Sequence, residues 1–484
     1  MIRLNKPEEI KPYLRDASQF SGKADAVFLA ENQKEIVEFL KEANQKKIPV
    51  TVSGGRTGLT GAAVPLGGWV LSTEKLKRII EVRKGNQDSG SFSRLEPAIL
   101  LKDLDKALEP HGLFYPPDPT GPKAFLGGTL ATNASGPNSF KYATTRDYIR
   151  RIKLILADGE ILDLKRGEYV SREGVLEIPL SSRKLKVPLP NYGWPSIKHA
   201  GGYFAKRPLD ALDLFIGSEG TLGVVIEIEV SLLPRPKDVL TFMAFFKQEE
   251  DSWSFVTDVR QSKTLQPRIL EYFDSGSLEF LRPQFPSIPK VARACLLIEQ
   301  EMGEAQLIAP LHSEWHQAFE KGNALEDVWE GRTPRKQEEF RNFRSALPLA
   351  VKDFLAQHQQ MKIGTDTAVP HKRFQELMLF HRKKVNDGNF QSVTFGHIGE
   401  SHVHLNILPR GDGEAQRARA LYPELVKKAV ALGGTFSAEH GVGKLKRRYL
   451  IELLGTQAAD EMVQIKRIFD PHLILGRNNI FEIE

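Results

Sequence analysis

Cysteine is almost missing from this chain. Cys295 is the only one in 484 residues, and it lies in the apolar run Ala294 to Ile298. One thiol cannot build a disulfide framework or a Cys-ligated zinc or iron–sulfur centre. A buried, inert thiol is the expected state. Long apolar runs are also missing. No stretch reaches about 18 apolar residues, which excludes a transmembrane helix by hydropathy. Met1 to Asp16 lacks the apolar core of a signal peptide. The expected location is cytoplasmic, with peripheral membrane association left open. A large excess of either charge is absent as well: 67 basic residues stand against 61 acidic ones, a net +6. The pI near 9.0 points to anionic partners. The basic residues are scattered, apart from Lys444 to Arg448, so nucleic acid is not an expected partner.

What is present is ordinary globular composition, 41% hydrophobic and 26% charged, which sets disorder aside. The length suits roughly two to four domains. Lys34 to Ala43 carries Ile36, Val37, Phe39, Leu40 and Ala43 at helical spacing and predicts an amphipathic helix. Pro49 to Val52 predicts a short strand. It enters a loop from Ser53 to Pro65 with Gly54, Gly55, Gly58 and Gly61 within nine positions. Bare N–H groups along such a loop can approach a pyrophosphate and donate several hydrogen bonds to it. The loop has neither the Lys-Ser/Thr ending of a P-loop nor a Gly-x-Gly-x-x-Gly turn, so ordinary nucleotide folds are not indicated. Two further small-residue regions follow: Tyr115 to Thr120 with Gly127 to Gly136, and Phe215 to Val225. Between them Lys141 to Asp147 leads into an apolar strand, Ile152 to Ala157, turning at Asp158-Gly159. Three separate glycine-rich loops imply one large cofactor lying across them.

The stretch Gly396 to Asn406 is of another kind. His402, His404 and Asn406 alternate with Val403, Leu405 and Ile407, the period of a strand with one apolar face and one unusually polar face. His397 sits upstream in a Gly-x-x-Gly turn that can fold back towards them. Ser437 to Gly441 adds Glu439 and His440. Two His and one Glu suffice for a divalent metal, with a further His beside it as a base. A polar strand of internally satisfied histidines is the alternative reading.

Taken together, these segments resemble the FAD-linked oxidases of the vanillyl-alcohol oxidase/PCMH type, over nearly the whole chain. Within that group the likeness is to the D-2-hydroxyacid dehydrogenases acting on D-lactate, glycolate or D-2-hydroxyglutarate. The resemblance implies an α+β chain: a PCMH-type two-subdomain FAD-binding domain, residues 1–235, then an α+β cap, residues 236–484. The boundary falls at Pro234-Arg235-Pro236, and the last ~45 residues are expected to pack back on the FAD domain. It also implies roles. Ser53, Gly54, Gly55, Arg56, Thr57 and Gly58 would hold the FAD pyrophosphate. Asp118, Thr129, Asn133, Ser135, Arg146, Gly217, Glu219, Gly220 and Thr221 would line the rest of FAD. His397, His404 and Glu439 would bind a divalent metal, Zn²⁺ or Mn²⁺. His440 would be the base, Asn406 a substrate contact, Arg344 the bidentate carboxylate clamp and Lys362 a second anion contact. The substrate would be a small anionic 2-hydroxyacid. The electron acceptor stays open among quinone, cytochrome, electron-transfer flavoprotein and O₂, and a homodimer is possible.

The chain departs from that pattern in places. Glu400-Ser401-His402 replaces Asp-Gly-Asn, so His402 can compete as a ligand. Leu475-Gly476-Arg477-Asn478-Asn479 replaces Leu-Asn-Pro-Gly-Lys at a terminal flavin contact. No His occupies the first glycine loop, so FAD is expected to be non-covalent. The basic linker from Lys165 to Pro195 has no functional account. Two other functions stay in view: an electron-relay flavoprotein subunit, and a non-redox transferase like alkylglycerone-phosphate synthase.

Overall fold

The computed structural model describes residues 1–86, 90–119, 123–302 and 308–483. Thr120, the last residue of the first Pro-rich segment, lies outside them. The N-terminal subdomain is a four-stranded sheet in the order Ile2–Leu4, Ala26–Leu29, Trp69–Ser72, Val50–Ser53. The last three strands run parallel. Parallel neighbours need a long crossover, and the helix Gln33–Lys46 supplies one. Asn32 caps it by accepting the Glu35 N–H, and Lys47 ends it in a left-handed conformation. Its buried face is Ile36, Phe39, Leu40 and Ala43, so the periodicity found the helix and missed only its ends.

The second subdomain is an antiparallel five-stranded sheet: Ile79–Arg83, Phe92–Leu95, Val224–Ser231, Ile149–Ile155, Ile161–Lys165. The expected strand and its Asp158-Gly159 turn form the hairpin at its edge. The segment from Lys165 to Pro195 is not a linker. It contains a β-hairpin, Val175–Pro179 against Lys184–Pro188. Leu176, Ile178, Leu185 and Val187 alternate with charged residues, and all four are buried in this subdomain's core. Basic residues masked that two-residue period in the sequence.

The cap is an eight-stranded sheet. Its path runs Trp329–Gly331, Val239–Phe246, Ala294–Glu301, Ile269–Phe273, Ser392–Gly396, His402–Ile407, Ile363–Gly364, and Thr367–Ala368 also pairs with His402–Ile407. Along Val239–Phe246, Leu240, Phe242, Ala244 and Phe246 point to one face. Met243 and Phe245 point to the other. The helices Glu249–Gln261, Ile308–Lys321 and Phe374–Asp387 cover the first face, and Ser275–Leu281 with Pro334–Gln357 cover the second. Cys295 is fully buried, and burial pushes its thiol well above the ordinary range.

After the cap the chain returns to the core of the second subdomain. Val442, Leu450, Met462, Ile465, Phe469 and Phe481 pack with the second subdomain. Leu475 bridges to Val50. The last connection before this return is Thr435 to Lys446, and it places Glu439 and His440 between the lobes.

Candidate active site

One cavity runs between the three glycine-rich loops. Its walls include Gly54 to Leu59, Gly127 to Thr132, Ser218 to Gly220, Glu439 and His440. Among the described residues, the N–H groups of Gly54, Gly55, Arg56, Thr57 and Gly58 donate to no protein acceptor. Five adjacent free donors are costly unless solvent or a ligand accepts from them. A polyanionic cofactor fits this cradle. The Gly54–Gly58 loop is also tight. A Cβ on Gly55 would sit 2.5 Å from the Lys123 carbonyl oxygen, so a side chain there forces backbone to move.

The expected cofactor residues divide into two groups. Gly54, Gly55, Arg56, Thr57, Gly58, Thr129, Ser135, Glu219 and Gly220 line the cavity. Ser53, Asp118, Asn133, Arg146, Gly217 and Thr221 do not. Several of these hold the loops in shape. Asn133 accepts the Arg146 N–H at 2.9 Å. Arg146 in turn donates to the Asp213 carboxylate and to the Ile216 carbonyl. Thr221 donates to the Ser218 carbonyl. Asp118 lies within electrostatic range of Arg344 and Arg268 on the cap. Arg56 stacks on Tyr13 at 4.4 Å and pairs with Glu74 at 3.6 Å. Glu219 joins the third loop to the return segment: its two oxygens accept the Val442 and Gly443 N–H groups at 2.7 Å each. Burial raises its carboxyl to about 7. The altered C-terminal tail also ties loops together. Asn479 donates to the Ala62 and Glu219 carbonyls and accepts from Lys444.

Beyond Glu439 and His440 the polar strand face proves to be interior. His402 and Asn406 are as buried as Val403 and Leu405; Asp366 meets His402 and Glu439 of the return segment meets His404 on that face. His397 follows Gly396, whose φ of +128° suits glycine, and turns back towards the strand. His397 Nε2 lies 3.3 Å from Glu439 Oε1, and His404 Nε2 lies 3.2 Å from the same oxygen. Their other nitrogens are held: His397 Nδ1 faces Glu271 Oε1 at 2.5 Å, and His404 Nδ1 faces the Thr365 carbonyl at 3.1 Å. Both Nε2 atoms are thereby turned towards Glu439, the outer-shell arrangement of metal-bound histidine. Tetrahedral ligation at bond lengths of about 2.1 Å separates donors by roughly 3.4 Å, so this donor set fits a divalent ion with little movement. His402 belongs to the same cluster. Its Nε2 faces Asp366 Oδ1 at 3.1 Å, and its Nδ1 has no partner.

His440 stacks on His404 with ring centroids 5.2 Å apart. Its Nδ1 faces Asp366 Oδ2 at 3.4 Å, which leaves Nε2 towards Glu439 at 3.6 Å. Burial outweighs the nearby carboxylates and pulls this imidazole down to about 4, so it is neutral near pH 7. At His397 the balance reverses. Burial opposes charge, but Glu271 and Glu439 together raise it to about 9. Glu439 is buried yet stays well below the ordinary range because Lys198, at 3.2 Å, and His397 oppose it.

Arg344 reaches the cluster from the helix Pro334–Gln357, with Nε 2.9 Å from Glu271 Oε2. Asn406 donates to the His404 carbonyl. Lys362 precedes the short strand Ile363–Gly364, which pairs with Asn406. Sequence reasoning missed Glu271, Asp366, Lys198 and Lys446. Glu271 had a signal, a lone carboxylate in the apolar run Ile269 to Phe273. Asp366 accepts from Ser437, His440 N and Lys446, partners remote in sequence. Lys198 had no signal.

A family model for FAD linked oxidases, C-terminal domain, matches residues 235–480, and one for an FAD binding domain matches residues 24–165. D-lactate dehydrogenase of Anaerostipes hadrus is 30% identical, over 97% of this chain and 92% of its own length. Glycolate oxidase subunit GlcD of Bacillus subtilis (strain 168) is 29% identical, over 97% of this chain and 92% of its own. In fold the chain is similar to a solved alkyldihydroxyacetonephosphate synthase, with a TM-score of 0.68 at 16% identity over 98% of this chain and 81% of that one. The chain belongs to the FAD-linked oxidases.

Proposed function

We propose that this FAD-linked oxidase converts a small D-2-hydroxyacid to the 2-oxoacid, with non-covalent FAD and a divalent ion at His397, His404 and Glu439. The observation that carries the reading is that one cavity is lined both by the loop of free amide donors, Gly54 to Gly58, and by Glu439 and His440. The names of the relatives fit it. The glycine-rich loops would hold FAD, which would supply a two-electron hydride acceptor. His397, His404 and Glu439 would hold a divalent ion, which would supply Lewis-acid polarisation of the substrate hydroxyl. His440, neutral and held at Nδ1 by Asp366, takes the hydroxyl proton at Nε2. Arg344, fixed at Nε by Glu271, offers its two Nη groups to the substrate carboxylate. Asn406 contacts substrate, and Lys362 is a second anion contact. Arg56 in the first loop, engaged by Tyr13 and Glu74, supports non-covalent FAD.

Anaerobic addition of D-lactate, glycolate, D-2-hydroxyglutarate or D-malate tests the function. At least one should bleach the flavin absorbance. If none does, the oxidation reading falls and an electron-relay role gains. Trichloroacetic acid should release the yellow colour into the supernatant. Colour kept in the pellet means a covalent flavin.

A further inference from the structure

A second His/His/carboxylate cluster stands on the outside of the cap. The helix Ile308–Lys321 carries His312 and His316, one turn apart, which puts both rings on one face. Across from them is Glu330, on the edge strand Trp329–Gly331. Glu330 is the ladder partner of Phe242. It therefore points to the same side of the sheet as that buried ring, beneath the two imidazoles, with centroids 6.0 and 6.1 Å away. His312 Nε2 lies 3.0 Å from Glu330 Oε2, His316 Nε2 lies 2.7 Å from Glu330 Oε1, and the two nitrogens are 3.2 Å apart. An imidazole nitrogen carries one proton at most. Arg332 Nη2 approaches His312 Nε2 at 2.5 Å and Glu330 Oε2 at 3.2 Å. If His312 Nε2 accepts from Arg332, its lone pair faces a carboxylate oxygen. If it is protonated, it faces the guanidinium N–H. Either tautomer leaves one close contact repulsive.

We propose that His312, His316 and Glu330 form a second divalent transition-metal site, independent of the flavin. A dication between the three resolves the proton conflict, because every converging atom is then a ligand. Tetrahedral donors stand about 3.4 Å apart, so separations of 3.0, 2.7 and 3.2 Å have to open by about 0.2–0.7 Å. Two imidazoles and one carboxylate select Zn²⁺ and its neighbours over Mg²⁺ or Ca²⁺. Arg332 is mostly exposed and swings away to admit the ion. The edge strand lies four strands from Ser392–Gly396, which leads to His397, or roughly 19 Å at sheet spacing. The ion clasps the helix to the edge strand and does not touch the reacting atoms.

Metal-stripped protein equilibrated with micromolar Zn²⁺, then assayed for zinc per chain, tests this. His404→Ala should retain about one equivalent, and His404→Ala with His316→Gln should retain none. His316→Gln alone should lose one equivalent relative to wild type and keep wild-type flavin content and turnover, which also reports that it folds. If His404→Ala and the double variant carry equal zinc, the cluster is a hydrogen-bonded clasp and the proposal fails. Wild type with one equivalent and His316→Gln with none would remove the active-site ion and leave this site standing.

Discussion

At His440 and Arg344 the proposed roles separate in kinetics. A base acts in the transition state, so His440→Asn should lower kcat by roughly 10²–10⁴-fold. A clamp already acts on bound substrate, so Arg344→Lys should mainly raise KM. Lysine keeps the charge and loses the planar fork. Steady-state kinetics of both variants on one substrate decide it. A His440→Asn enzyme within a few-fold of wild-type kcat sends the base assignment elsewhere. His402 is then a poor substitute, because it is fully buried and engaged by Asp366. Glu271 is the residue that joins the two functions, since one oxygen holds His397 and the other holds Arg344. Arg344 and His397 keep it ionised against its burial, down to about 2. Glu271→Gln should weaken zinc binding by roughly 10–100-fold and raise KM together, and a change in only one of these would contradict the shared anchor.

At the scale of one element, the Gly54–Gly58 loop is exacting at Gly55. Its five unpaired amides and the 2.5 Å gap to Lys123 leave no room for a methyl group at position 55. Gly55→Ala should therefore fold, with native circular dichroism, and purify with little flavin. A yellow Gly55→Ala protein with full flavin content would show that the loop does not cradle the cofactor. The cap strand His402–Ile407 is equally constrained for a different reason. Both of its faces are buried, so each polar group on it needs an internal partner or a ligand.

For the whole molecule, buried histidines held neutral contribute to the response to acid. His381, on the helix Phe374–Asp387, is almost fully buried and, among the described residues, has no partner at either ring nitrogen. Burial pulls it down to about 4. His199 is pulled to about 4 by the same cause. An unfolded chain binds the proton at about 6.5. Between those values the unfolded state holds more protons than the folded one, so stability falls as pH falls through that window and is complete above it. Each such group costs up to about 3 kcal/mol at the acid end. His381→Leu should be more resistant than wild type to denaturant near about pH 5, with a smaller gain at about pH 7.5. Equal losses in both proteins on acidification would rule His381 out.

The sequence by itself determined the parts that depend on local period and composition. The helix near Ile36, the strand before Asp158, the three glycine loops and the alternation after His402 all follow from spacing along a few residues, and spacing survives in a linear string. So does the chemistry of the side chains, which put His397, His402, His404, Glu439 and His440 in one group, and the family resemblance then divided them into ligands and base. What tertiary structure alone decided is who holds these groups in place. Glu271, Asp366, Lys198 and Lys446 come from strands, loops and both lobes, up to 241 positions from their partners, as between Lys198 and Glu439. Their signal is burial and charge pairing in three dimensions, and neither leaves a period in the chain. The same holds for Asn133, Arg146 and Thr221, whose residue types suit a cofactor but whose hydrogen bonds go to the loops themselves. A donor's chemistry is written in the sequence, and its partner is chosen by the fold.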